Sequence, residues 1–193
     1  MDFRFLAHSV GNIISNPIKE WDAIYSENKP VRYIRRNLFF PLVILAAVSA
    51  FLGSLFFKSA SLLKDYPILT GIKYFILIYL VIYCTAFIFR EITNAFGLGR
   101  DFNLSFKIIT YSTIPFLICQ IVSQLFESFI FINVLALFGL YIFWTGSEIL
   151  LNPPEQKKRY LLIATIVTFI VLFFAANWLL SLVFDKFYYA FVA

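Results

Sequence analysis

Two long apolar segments, joined by only two polar residues, constrain the fold of this chain more than any other feature. They occupy Phe106 to Leu151, and the joint between them is Glu127-Ser128. Each segment carries a run of about 20 uncharged residues, and a helix of that length crosses a hydrocarbon core about 30 Å thick. The joint leaves room only for a tight turn. The sequence therefore predicts a helical hairpin inside a membrane.

Composition extends this prediction to the whole chain. Of the 193 residues, 61% are hydrophobic and 14% are charged, whereas soluble domains average about 45–50% apolar and about a quarter charged residues. The expected fold class is an all-α polytopic membrane protein, a bundle of five transmembrane helices in residues 38–193. The expected spans are residues 38–57, 68–89, 106–126, 129–151 and 160–184, each bound being approximate.

Residues 1–37 precede the first span and carry a short amphipathic helix at about 17–27. Asn16-Pro17 is typical of a helix start, with Asn as the N-cap and Pro at the first helical position. Trp21 lies on the apolar face of this helix. We expect the helix to lie in the membrane interface, and the alternative is that the Trp21 face docks a partner.

The distribution of Lys and Arg predicts the orientation. Twelve of them lie in the N-terminal region and in the links between spans two and three and between spans four and five, and four lie on the opposite side. The positive-inside rule then places the N-terminus in the cytoplasm and the C-terminus across the membrane. This rule also explains the net charge of +5, so no nucleic-acid partner is expected.

Polar residues form a seam between spans three and four. In span three, Lys107, Thr113, Gln120 and Gln124 belong to it, and the last three lie on one helical face. In span four, Asn133 and Glu148 mark a comparable face.

A tight hairpin about Glu127-Ser128 would bring Glu148 close to Lys107. An acid inside a span is costly unless it is paired, so we expect Glu148 to meet Lys107, or failing that Arg90. Residues of the following link, such as Arg159, are less expected partners because they lie nearer the water.

Two interpretations of the seam remain open. Hydrogen bonds between helices would make it structural glue, whereas a route for a solute or ion would make it functional, since ionisable groups within membranes often mark such routes. A kink is also expected in span three, because Pro115 removes the hydrogen bond to the carbonyl of Tyr111. Tyr111 and Pro115 are therefore a candidate hinge.

The charged connection between spans two and three is a candidate partner contact. It contains Arg90, Glu91, Arg100 and Asp101. It could equally be a turn with surface charges, and the functional interpretation is a contact with a protein or with anionic lipid headgroups. Catalytic motifs, metal-ligand spacing and cofactor fingerprints are not seen in the sequence, so we expect no catalysis, no cofactor and no metal.

Four segments carry a resemblance to a known family. They are Asn16-Pro17 through Trp21, Tyr111-x-x-x-Pro115, Tyr141 to Gly146, and the link Asn152 to Lys158. Their order and the five spans resemble the Yip family, membrane proteins named for binding Ypt/Rab GTPases, and the chain looks like the short bacterial branch. The resemblance implies a non-enzymatic role in organising membranes or as an adaptor, here in a bacterial inner membrane.

The expected partners are the lipid bilayer and a membrane or cytoplasmic protein, and a second copy of the chain is an open alternative. Whether a Ypt/Rab-type GTPase binds is also open. The alternative function is a small channel or transporter that uses the seam between spans three and four.

Overall fold

The computed structural model describes residues 2–57 and 66–192, and the regular elements within these ranges are all helices. In chain order they are α1 (Phe3–Ser15), α2 (Pro17–Glu27), α3 (Val31–Ile34), a π-helical segment (Arg35–Phe39), α4 (Phe40–Phe57), α5 (Tyr66–Ala95), α6 (Phe102–Ser112), α7 (Ile114–Leu125), a 3₁₀ helix (Glu127–Leu137), α8 (Phe138–Leu151) and α9 (Glu155–Val192). Most of the loop predicted between spans one and two falls outside the described residues.

The predicted all-α polytopic fold is confirmed. In the described part of the chain, four helices are long and apolar enough to cross a membrane: Val31–Phe56, Pro67–Ala95, Phe129–Leu151 and Glu155–Lys186. The bent pair α6 and α7 supplies a fifth span when it is counted as one. The first span differs most from the prediction, because its helix begins at Val31 rather than near residue 38.

Span three bends by 44° between α6 and α7. Pro115 lies at the second position of α7, where its missing N–H and its ring prevent a continuous helix. The Thr113 hydroxyl at the break donates to the backbone carbonyls of Ile109 (2.9 Å) and Thr110 (3.0 Å). The kink predicted at Pro115 is therefore present, whereas its use as a hinge remains a prediction.

Small residues allow the spans to approach closely. A Cβ added at Gly53 of α4 would lie only 1.8 Å from the backbone carbonyl oxygen of Gln124, and one added at Gly139 of α8 would lie 2.4 Å from that of Ser112. Helices that pack in lipid gain most from such backbone contacts. They hold span one and span four against the two halves of the bent span three.

One buried core joins helices α1 and α2 to all five spans. Its largest fully buried side chains include Trp21, Phe39, Phe89, Phe106 and Tyr111, from α2, the π-helical segment, α5 and α6. The long helix α9 lies at the edge of the bundle, packed chiefly against α5.

Candidate functional site

The helical hairpin formed by α1 and α2, hereafter the N-terminal hairpin, is inserted into the bundle through Trp21. This side chain is fully buried. Its indole Nε1–H donates to the backbone carbonyl of Ile142 in α8 at 3.0 Å, and its ring centroid lies 5.5 Å from that of Tyr111 in α6. Trp21 thus contacts span three and span four at once.

Gly146 creates the space for the indole. A Cβ added at Gly146 would lie 2.5 Å from two carbon atoms of the Trp21 ring, a distance that van der Waals radii do not permit. The indole therefore packs directly on the backbone of α8. Trp21, Tyr111, Ile142 and Gly146 together form what we call the Trp21 slot.

The Trp21 side chain itself does not face lipid or a partner, although Ile18 and Tyr25 of the same helix are 49% and 65% exposed. That α2 lies in the membrane interface, or docks a partner through its exposed residues, stays a prediction. The indole is inside the protein, and α2 packs on α8. An amphipathic pattern records only that one helix face is apolar; lipid and a groove between two spans satisfy it equally well. The groove that takes up the indole depends on Gly146, which is remote from Trp21 in sequence.

The start of the N-terminal hairpin is fastened to the first span. The backbone N–H of Asp2 donates to the side-chain oxygen of Asn37 at 3.0 Å, and the Tyr33 hydroxyl donates to the Asp2 carboxylate at 3.2 Å. Asn37 lies in the π-helical segment, and such wider turns are frequent at functional sites. The Asp2 carboxylate also caps α1, and the hydrogen bond from the Phe5 N–H holds its pKa below the usual range.

The end of the N-terminal hairpin is fastened to span three. Asn28 terminates α2 in the left-handed conformation, with φ of 37°. Its side-chain oxygen accepts a hydrogen bond from the Lys107 ammonium at 3.1 Å. Within the hairpin, the Asn12 amide donates to the Glu20 carboxylate at 3.0 Å. The hairpin is therefore held at both ends and at Trp21.

The predicted pairing of Glu148 with Lys107 or Arg90 is wrong. Glu148 forms an ion pair with Lys158 in the first turn of α9, and the Lys158 ammonium also lies 4.1 Å from the centre of the Trp144 ring. The Lys158 side chain is buried, whereas that of Glu148 is 54% exposed. Glu148 is therefore less enclosed than its place in an apolar run suggests.

The physical reason is a change of register between spans three and four. A uniform hairpin about Glu127-Ser128 would place residue 143 opposite Ser112, but Gly139 lies there. The first part of span four is a 3₁₀ helix, which rises about 2.0 Å per residue instead of about 1.5 Å. Fewer residues then cover the same height, so that Glu148 lies beyond the level of Lys107.

The centre of the predicted seam is hydrogen-bonded across spans. The Gln120 amide donates to the Asn133 side-chain oxygen at 3.1 Å, and the Tyr74 hydroxyl of span two donates to Gln120. Thr113 is bonded to its own helix, and the backbone of Gln124 contacts Gly53. The six seam residues are thus dispersed: only Gln120 and Asn133 meet directly.

The link between spans two and three forms an ordered charged cluster. The Glu91 carboxylate is paired with Arg90 and, at 3.0 Å, with Arg100, while Asp101 caps α6 by accepting the N–H of Asn103 at 2.7 Å. Arg100 remains 58% exposed. Arg90, Glu91 and Arg100 therefore meet as one cluster, and Asp101 has a local structural role beside it.

A second link reaches this cluster. The Lys157 ammonium, in the first turn of α9 just after the link between spans four and five, donates to the backbone carbonyl of Phe96 at 2.8 Å. We call the surface formed by residues 90–101 and 152–159 the charged face. Among the described residues, no group of three His, Cys, Asp or Glu side chains is placed to hold a metal ion.

The Yip1 domain family matches residues 11–177 of the chain. The chain belongs to this family. The comparison with curated proteins and the comparison with solved structures each found no match.

The matched Yip1 domain begins within α1 and ends within α9, so it contains the Trp21 slot, the seam and the charged face. The resemblance predicted from Asn16-Pro17, Tyr111 and the segment from Tyr141 to Gly146 is confirmed. In this Yip1 domain those three segments meet in space, because Trp21 packs on Tyr111, Ile142 and Gly146.

Sequence reasoning missed several residues that hold the Yip1 domain together. Asn28, Asn37 and Tyr74 each bond a partner on another element, and Lys158 pairs with Glu148. Asn28 had a weak signal, since Asn tolerates the left-handed conformation at a helix end. The other contacts have no local signature, because each depends on a partner that the fold brings close.

Proposed function

We propose that this protein is a non-enzymatic membrane organiser or adaptor that acts through contacts of its charged face. The observation that carries the proposal is the fastening of two separate links into one surface by the Lys157 bond to Phe96 and the Glu91 ion pairs. Such a surface presents fixed charges to a protein without needing to order a flexible loop first, which lowers the entropic cost of binding.

The state of the seam supports contact rather than transport. Gln120, Asn133 and Tyr74 are engaged with one another, and Lys107 and Glu148 are engaged elsewhere. Polar groups that satisfy one another across helices act as glue, whereas a route needs groups that can be hydrated or exchanged. The hydrogen-bonded seam therefore favours the adaptor over the channel or transporter, which the flux measurement described below would detect.

The orientation is part of the proposal. The excess of Lys and Arg on the side of the charged face supports a cytoplasmic location for it and for the N-terminus. Reporter fusions that are active only in the cytoplasm, placed after residue 193 and before residue 1, test this. Activity at the N-terminal fusion alone agrees with the proposal, and activity at the C-terminal fusion alone contradicts it.

In-cell photo-crosslinking tests the function. Photoreactive residues are introduced at Asn94 and Arg100, both exposed on the charged face. Phe174, 68% exposed on span five, serves as the lipid-facing control position. Crosslinked products are identified by mass spectrometry.

The proposal predicts the same discrete protein partner from Asn94 and from Arg100 and only lipid adducts from Phe174. Products containing only lipid or a second copy of the chain at all three positions would contradict the adaptor. Solute flux through vesicles that contain the purified protein, abolished by Gln120→Leu, would instead establish the seam as a route.

A further inference from the structure

An apolar cavity of about 220 Å³ lies among spans two to five. Its walls include the aromatic side chains of Phe116, Phe143 and Phe169, together with Ile109, Leu140 and Ile170. These residues fall within the apolar stretches of their spans, so the cavity is at membrane depth.

The cavity offers little to water. The three threonine hydroxyls among its lining residues, on Thr85, Thr113 and Thr165, each donate to a backbone carbonyl one turn earlier in their own helix. The buried hydroxyl of Ser112, which also lines the cavity, has no hydrogen-bond partner among the described residues, but one such group does not supply the two to four polar partners that a buried water needs. An apolar cavity of about 150 Å³ is already known to stay dry and to bind a small hydrocarbon. This larger cavity fits a hydrocarbon ligand for the same reasons.

The cavity is continuous with the lipid-facing surface. It is partly open, and α9 packs on α8 much less than on α5. The lining residues Leu137 and Ile170, from the two sides of this gap, are 63% and 47% exposed. In a bilayer, the molecules in contact with that surface are lipid chains.

We propose that an acyl chain of a bilayer phospholipid enters between spans four and five and occupies this cavity. Hydrocarbon gains no hydrophobic free energy by moving from bilayer to cavity, so the driving force is packing. An unfilled cavity forfeits dispersion contacts on every wall, and a chain end restores them. The proposal concerns a different surface from the charged face and does not depend on the adaptor function.

Photolabelling with a phospholipid that carries a diazirine in one acyl chain tests the proposal. The full chain is reconstituted in vesicles of phosphatidylethanolamine and phosphatidylglycerol, and the labelled residues are mapped by mass spectrometry. Ile109 and Phe143 are 2% and 4% exposed, so an adduct on either requires a chain inside the cavity. Phe174 reports ordinary contact with the bilayer.

Two variants fill the cavity from opposite walls, Ala136→Phe from the 3₁₀ helix and Ile166→Trp from span five. Ala175→Phe is the matched control, because Ala175 is exposed on span five and does not line the cavity. We expect adducts on Ile109 and Phe143 in the wild type and in the control, and their loss in both filled variants.

Adducts confined to exposed positions such as Phe174 in the wild type would overturn the proposal whether or not the filled variants fold. Cavity adducts that arise with a diazirine fatty acid but not with the phospholipid would also overturn it, since the source of the chain would then be a free acid. Adducts on Ile109 and Phe143 that persist in a folded Ala136→Phe or Ile166→Trp variant would also overturn it, because the labelling chain would then lie outside the cavity.

Discussion

Trp21→Ala is expected to release the N-terminal hairpin from the bundle. Removing a fully buried Trp side chain costs about 3–5 kcal/mol, and Trp21 is fully buried. The lost indole hydrogen bond adds little, because the Thr145 hydroxyl still donates to the Ile142 carbonyl at 3.0 Å. At about 1.4 kcal/mol per factor of ten, the ratio of docked to undocked hairpin should fall by about two to three and a half orders of magnitude.

Thiol accessibility at residue 9 measures this ratio. Ser9 is 1% exposed in α1, so a Ser9→Cys thiol reacts with a maleimide only when the hairpin leaves the bundle. The assay uses a background in which Cys84 and Cys119 are replaced by alanine. The labelling rate should rise steeply when Trp21→Ala is added.

Trp178→Ala is the matched control, because Trp178 is 63% exposed on span five and its loss should leave the labelling rate unchanged. An unchanged rate in Trp21→Ala would refute the claim that the Trp21 slot holds the hairpin. An equal rise in both variants would indicate general loosening of the bundle instead.

Three further predictions follow from the same contacts. Gly146→Val should raise residue-9 labelling as Trp21→Ala does, because its added Cβ would lie 2.5 Å from the indole; unchanged labelling would contradict the slot. Pro115→Ala should relax the 44° bend, and the distance between spin labels at Asn103 and Phe126 should then lengthen by about 2–3 Å, given the helix rise. Gln120→Leu should destabilise the bundle by about 1 kcal/mol in a denaturing-detergent titration, since Gln120 bonds residues on spans two and four; a larger loss would mean that the seam does more than join helices.

The spans and the kink were predictable because their causes are local. A long uncharged run leaves few alternatives to a membrane helix, since lipid cannot satisfy exposed backbone groups. Pro115 likewise acts on the residues one turn before it. Both features could be located without knowing what lies beside them.

The partner of Glu148 could not be found in the same way. The predicted pairing assumed that both spans of the hairpin are α-helical throughout. The 3₁₀ helix at Glu127–Leu137 instead shifts the register between spans three and four by four residues at Ser112. Lys158 can then pair with Glu148, because only three residues separate the end of α8 from the start of α9 and the first turn of α9 lies close to the last turn of α8. Sequence patterns do not distinguish a 3₁₀ from an α-helical span.

The position of Trp21 was missed for a different reason. Its helix was predicted with the correct start at Asn16-Pro17 and the correct end at residue 27. The surface against which Trp21 packs was not predicted. That surface is built from Tyr111 and Gly146, which lie far along the chain. Local sequence predicts that a face is buried, and only the tertiary fold decides against what.

The central claim is that the N-terminal hairpin is a fixed part of this Yip1 domain rather than a loose segment on the membrane surface. The most direct measurement is the distance distribution between spin labels at Ser26 of α2 and Asn94 at the charged face, both exposed, with the protein in lipid nanodiscs. The docked hairpin predicts one narrow distribution, which Trp21→Ala broadens. A broad distance distribution in the protein that retains Trp21 would contradict the claim.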